Sequence, residues 1–320
     1  HGSTAMLPGV GAVDIGDYAT GSGSAVYDGI TVEDVDVLTN TGCGLATIHP
    51  YNVATGTITL KDFIWRTPSA TSSLGIIDVP ASTTLGELSI DGFAQNGNGI
   101  GVHVAGTIGT LRLNRYRALD TTKTFQGSIA VDSGATVDLL SLSDVSMKRA
   151  AGDGIRVVNI TGTINKIVGD AIHLYGGGGA FLYTAVGASP TTALLSNVVL
   201  DAPDAFATIQ SAVSIAFNGL DIIGVTGGTM FGIIGAGASL TVRGRGIFDY
   251  GVTWFFRDST QTIRVVCAEL HCDVSVLTRA NNGDQAFNSN GALACGTGVV
   301  LSNGSNAAGS WKNTFSGSTY

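Results

Sequence analysis

The chain has 320 residues, of which 46 are glycine, 44% are hydrophobic and only 12% are charged, with a net charge of -8 and a mean hydropathy of +0.32. No run of 18 apolar residues occurs, which excludes a membrane-spanning helix. The apolar content excludes intrinsic disorder. The acidic balance, with a pI near 4.9, speaks against a nucleic-acid partner, which needs a basic face.

Only Glu33, Glu87 and Glu269 are glutamates among the 24 acidic residues, so the negative charge is carried by aspartate. Aspartate favours turns, whereas glutamate favours helices. Together with scarce lysine, this makes a helical bundle a poor expectation. His1-Gly2-Ser3-Thr4-Ala5-Met6 reads as a tag scar and is set aside. Residues 7–42, with Ile30, Val32, Val35 and Val37 as strand formers, are expected to cap the N-terminal end of the domain that begins at residue 43.

From residue 43 a pattern recurs. A short alternating segment leads through a Gly or Thr turn to a second alternating segment that closes on Asp or Asn. The apolar starts Leu45, Leu74, Ile100, Ile129 and Ile155 are spaced 29, 26, 29 and 26 apart. The closing residues Asp62, Asp91, Asn114, Asp144 and Asp170 are spaced 29, 23, 30 and 26 apart. A period of this length with two or three short strands per unit is a solenoid. Leucine-rich repeats share the period but need a fixed Leu/Asn frame, which is missing. The expected fold is therefore all-β, a right-handed parallel β-helix over residues 43–280. Stacked coils rise about 4.8 Å each and place equivalent residues above one another. Alternation puts Ile100, Val102, Leu111 and Leu113 inside, and Gly101, His103 and Arg112 outside. The closing Asp/Asn residues suit a turn with left-handed dihedrals.

Later coils are less regular. Phe181-Leu182-Tyr183, Val213-Ser214-Ile215, Thr229-Met230-Phe231 and Ile263-Arg264-Val265 are expected as further strand starts. Asp201 to Val213, with Pro203 and Asp204 ahead of Phe206 and Ile209, is expected as one short helix. Gly176 to Gly179 lacks the Lys and Ser/Thr of a phosphate loop. From Asn281 the sequence turns to clusters such as Asn281-Asn282-Gly283-Asp284 around the apolar stretch Ala292–Leu301. Residues 281–320 are expected to form a small C-terminal β cap and trimerisation segment. Open solenoid ends would template aggregation. Of Cys43, Cys267, Cys272 and Cys295, the pair Cys267/Cys272 flanks His271, but no second ligand pair accompanies it. Buried small side chains are the simpler account, and no metal or cofactor is expected.

The segments Asn98-Gly99-Ile100-Gly101-Val102 and Asp153-Gly154-Ile155-Arg156-Val157 resemble coils of the pectin-lyase-like β-helices in bacteriophage tailspikes and tail fibres. The ending Gly296-Thr297-Gly298-Val299-Val300-Leu301-Ser302-Asn303-Gly304-Ser305, with Trp311-Lys312-Asn313, is similar to the final segment of many phage tail proteins. The family's usual opening, Asp-Gly-x-x-Asp-Asp-Thr, is not found. The resemblance implies a receptor-binding homotrimer on the virion tail, acting outside the cell on a bacterial surface glycan, capsule or lipopolysaccharide. It also implies, in many members, cleavage of that glycan. A bacterial surface adhesin is the further alternative.

Glycan hydrolysis needs two carboxyl groups about 5 to 9.5 Å apart, and a lyase needs a base beside a cation. With Ile100 and Ile129 in register, His103 and Asp132 share one outer face, with Arg156 one position off and Asp153 in a loop beside them. These give the candidate catalytic residues Asp132, His103 and Asp153. The candidate substrate-binding residues are Arg156, Arg112, Asp91, Tyr116 and Trp65, the two aromatics because sugar rings stack on aromatic faces. Arg115-Tyr116-Arg117 forms a small basic-aromatic patch. The recurring turn aspartates have structural roles as their simpler account.

Overall fold

The computed structural model describes residues 13–15, 29–33, 36–38, 46–48, 57–66, 75–81, 83–95, 100–118, 127–148, 158–175, 182–184, 188, 191–201, 207–209, 213–223, 228–233, 239–248, 252–256, 262–272, 285–288, 298–302 and 311–313. Among these, every regular element is a strand. The strands stack in parallel as a β-solenoid, as expected for the fold class. A ten-stranded first sheet takes one short strand from each coil: Val13–Ile15, Ala46–Ile48, Gly75–Val79, Ile100–Val104, Gly127–Val131, Val158–Ile160, Leu182–Thr184, Ala207–Ile209, Gly228–Ile233 and Val252–Phe256. A second sheet takes the longer remainder of each coil, beginning with Gly29–Glu33 and Thr57–Lys61.

That second sheet bends once per coil. Thr57–Lys61 is followed by Ile64–Arg66, Thr84–Asp91 by Ala94–Gln95, and Thr107–Asn114 by Arg117–Ala118. From Thr136–Lys148 onward the two pieces fuse into one long bent strand. The bend is made by one residue of positive φ in each of eight successive coils: Asp62, Gly92, Arg115, Asp144, Ala171, Asn197, Gly219 and Gly244. These residues lie above one another, and their amides bond to the next coil, as from Arg115 N to Ser143 O and from Gly92 N to Asn114 O. Asp62 and Asp144 bend as the sequence suggested. In three coils the bend falls one residue beyond the expected Asp91, Asn114 and Asp170.

Period-two alternation then fills the interior with vertical columns. Ile77, Val102, Ile129, Val158 and Leu182 stack along the first sheet, all buried. Ile58, Leu88, Leu111, Leu140, Ile167, Ala193 and Ile215 do so along the second. Past the bend, Phe93, Tyr116, Val145, Ile172, Val198 and Leu220 form a third column. Each buried Leu, Ile or Val contributes about 1.5–3 kcal/mol against exposure.

Several expectations change. The strands Val13–Ile15, Gly29–Glu33 and Asp36–Leu38 pair in parallel with Ala46–Ile48, Thr57–Lys61 and Ile64–Arg66, so the coiling starts well before residue 43. Ala207–Ile209 is a strand between Leu182–Thr184 and Phe231–Ile233, not part of a helix. The parallel neighbours supply partners for its backbone, and this outweighs the helix-start signal of Pro203-Asp204. Within 281–320, Gln285–Asn288 pairs in parallel with Thr262–Cys272. It then pairs antiparallel with Gly298–Ser302, which is antiparallel to Trp311–Asn313.

Candidate functional site

On the outer face of the first sheet, His103 sits in register with Asp78 of the preceding coil and Ala130 of the following one. Its Nδ1 lies 2.6 Å from Asp78 Oδ1, and its Nε2 lies 2.9 Å from Asp132 Oδ2. Asp132 opens a tight turn whose Ala135 amide donates to its carbonyl. Three successive coils are thus joined by one imidazole. Asp78 is well covered, at 13% side-chain exposure, whereas Asp132 is half exposed, at 52%. The hydrogen bond to Asp78, reinforced by that to Asp132, outweighs burial and pushes the His103 pKa up to about 9. At neutral pH the ring is an imidazolium donating both N–H groups.

This arrangement brings His103 and Asp132 together, but not by the expected register. Ile129 pairs with Val102, and Ile100 pairs with Gly127, a shift of two residues from the alignment of Ile100 with Ile129. Asp132 reaches His103 from the turn rather than from the strand column. Sequence reasoning missed Asp78. Its signal was an acidic residue at an outward position of the alternating strand Gly75-Ile76-Ile77-Asp78-Val79. Asp153 and Arg156 lie outside the described residues.

The chemistry of this triad is constrained. A doubly donating imidazolium has no lone pair with which to accept a proton. The ring also fills the gap between the Asp78 and Asp132 carboxylates, where a glycosidic oxygen or a water would have to sit for paired-carboxylate hydrolysis.

The second cluster lies at the bend of the second sheet. Arg115 donates from Nε to Asp91 Oδ1 at 2.8 Å and from Nη2 to Asp62 Oδ1 at 3.2 Å, so it spans three coils. Asn114 Nδ2 also donates to Asp91 Oδ1, at 2.8 Å. The Arg115 guanidinium holds the Asp91 carboxyl below the usual carboxylate range. Gly92 lies between Asp62 and Arg115 with φ of +77°, and a Cβ there would stand 2.3 Å from Asp62 Oδ1. Only glycine leaves both the left-handed bend and the passage for the guanidinium open. Arg117 points out of the next strand, bonded to the Asp144 carboxylate at 2.6 Å and to the Asp144 carbonyl. Asp62, Ile64, Gly92, Phe93, Ala94, Arg115 and Arg117 line an open cleft of about 350 Å³.

The other sequence candidates are dispersed. Arg112 is an outward residue of Thr107–Asn114, paired with Glu87 at 2.8 Å on the coil below. Asp91 is engaged by Arg115 and Asn114. Tyr116 is a correction. It is 1% exposed, its ring lies 5.2 Å from that of Phe93, and its hydroxyl donates to buried Gln95, so no sugar can stack on it. Alternation across Arg115-Tyr116-Arg117 sends both arginines out and the aromatic in. The backbone of Trp65 is placed in Ile64–Arg66, beside Val37 and Gln95, and its side chain lies outside the described residues. Cys43 and Cys295 also lie outside them, and among the described residues no group of three or more His, Cys, Asp or Glu could hold a metal ion. Comparison with family models, curated proteins and solved structures finds no match for this chain.

Proposed function

We propose that this chain is the receptor-binding β-helix of a phage tailspike or tail fibre, which acts outside the cell as a homotrimer that holds a bacterial surface polysaccharide. The observation that carries the choice of binding over cleavage is the filled gap between Asp78 and Asp132. Among the described residues, the acid–imidazole cluster at His103 is a staple between coils, with the ring's proton-accepting sites occupied. The cleft at the bend supports a binding role, because it offers charged groups beside apolar Ile64 and Ala94 in an open depression.

Two experiments test this proposal. Incubation with purified capsule and lipopolysaccharide from a panel of bacteria is expected to give retention of one polysaccharide with no oligosaccharide released. Release of oligosaccharides that is abolished by Asp132→Ala would instead make the chain a depolymerase with Asp132 in its catalytic machinery. The trimer rests on the family resemblance and on the apolar composition of the chain, and Leu194 and Ile223, 41% and 37% exposed on the second sheet, are two of the side chains it would cover. Large apolar side chains in such positions are covered when copies associate. Sedimentation at micromolar concentration is expected to give a trimer, and a stable monomer would refute it.

A further inference from the structure

We propose that the cleft at the bend is an exchange site for the carboxylate of an acidic sugar, in which Arg115 releases Asp62 and takes the incoming group. This rests on the polysaccharide-binding function above and names the class of saccharide and the place where it is held.

The two ion pairs of Arg115 are unequal. The Nε bond to Asp91 is short, and Asp91 is the better covered partner, further fixed by Asn114. The Nη2 bond to Asp62 is longer, at 3.2 Å, and Asp62 is half exposed. Asp91 therefore anchors the guanidinium in one orientation, and Asp62 occupies its second position loosely. An exposed pair of this kind contributes little net stability, so a carboxylate able to make two parallel N–H···O bonds competes with it. The competition is local. Arg115 and Arg117 stand against Asp62, Asp91 and Asp144, and Lys61 adds a positive charge that acts on Asp91. On exchange, Asp62 turns to water and keeps its charge there, the ligand carboxylate takes its place on the guanidinium, and the cleft gains one negative charge. Gly92 keeps the passage open, and Ile64 and Ala94 provide an apolar floor for the ring that carries the carboxylate.

The test uses the full chain and four probes: trigalacturonate, its methyl ester, the neutral galactose trimer and acetate alone, each titrated by calorimetry. Trigalacturonate is expected to bind at least about tenfold more tightly than the ester, the neutral trimer or acetate. Asp62→Asn is expected to tighten trigalacturonate about threefold or more, since it removes the competing charge. A purely structural Asp62 would not produce that gain. Arg115→Gln is expected to weaken binding at least about tenfold. Equal binding of acid and ester, or acetate binding as tightly as the sugar, overturns the proposal. So does an Asp62→Asn variant with unchanged or weaker affinity. If a whole bacterial polysaccharide is retained equally by the wild type and by Arg115→Gln, the cleft is not the site while the binding function stands. If no polysaccharide and no probe binds, both fall.

Discussion

Gly162→Ala is expected to destabilise the protein by about 3 kcal/mol, through backbone overpacking at the corner between the two sheets. Gly162 comes just after Val158–Ile160 and lies directly over the turn of the preceding coil. A Cβ at this position would stand 2.0 Å from the Asp132 carbonyl oxygen and 2.7 Å from that of Ala135. Both are backbone atoms held in place. The Asp132 carbonyl accepts from Ala135 N, and the Ala135 carbonyl accepts from Thr163 N. Relief therefore requires separating two coils. The same separation strains the bonds from the Thr161 and Gly162 amides to the Val131 carbonyl. Gly134→Ala is the control. Gly134 has φ of +89°, but a Cβ there meets nothing within 4 Å, so the cost is conformational alone, about 1–2 kcal/mol. Denaturant midpoints for the two variants measure the difference. Because a solenoid is held by nearest-neighbour coils, amide exchange in Gly162→Ala should rise first in Gly127–Val131 and Val158–Ile160. Equal midpoints, or exchange raised evenly along the chain, would contradict this close approach.

The corner also explains which parts of the fold were legible in the sequence. Alternation identified most inward residues because each strand must bury one face: Val102, Leu111 and Leu113 are buried and Arg112 is exposed, but Ile100, expected inside, is only partly buried and Gly101, expected outside, is buried. Counting from one apolar start to the next did not give the register. Between the first and second sheets, the coil after Val104 uses Ala105 and Gly106, whereas the coil after Val131 uses Asp132 to Ala135. Whole coils differ in length too: Val102 follows its partner Ile77 by 25 residues, Ile129 follows Val102 by 27 and Val158 follows Ile129 by 29, so a fixed count fails and Ile129 falls beside Val102 instead of Ile100. The bend shows a similar limit. Eight successive coils each bend at one left-handed residue, and Asp62, Asp144, Gly92 and Asn197 advertise that preference. Arg115 and Ala171 do not, and they adopt it because the coils on either side impose it. The sequence pairs His103 with Asp132 through a register that the structure does not have: Asp132 reaches the ring from the turn, and Asp78, the better covered partner, goes unread. Nor was the candidate site legible where the burial of a single residue decided the matter. Tyr116 comes next after a bend residue, and only the fold shows that this position faces inward beside Phe93.

His103→Ala is expected to cost about 2–3 kcal/mol at pH 7, the scale of losing charge-assisted hydrogen bonds from a largely covered ion cluster. Two carboxylates would then face each other without the cation that separates them, and Asp78 has little water to turn to. The wild type carries a matching pH signature. The folded pKa of His103 is raised to about 9 from 6.5. Below pH 6.5 both the folded and unfolded chains hold the proton, and the stabilisation is complete. Between 6.5 and about 9 only the folded chain holds it, so stability falls as pH rises. Above about 9 the ring is neutral, it donates to one carboxylate only, and the contribution is gone. Denaturant midpoints of wild type and His103→Gln, measured from pH 6 to 10, should therefore converge as the pH rises. The partner variants rank in a definite order at pH 7. Asp78→Asn should cost more than Asp132→Asn, because Asp78 is covered and makes the hydrogen bond that contributes most to the raised pKa, while Asp132 is half in water. A wild type and His103→Gln pair whose difference stays constant from pH 6 to 10 would show that the imidazole is not the charged link between the three coils.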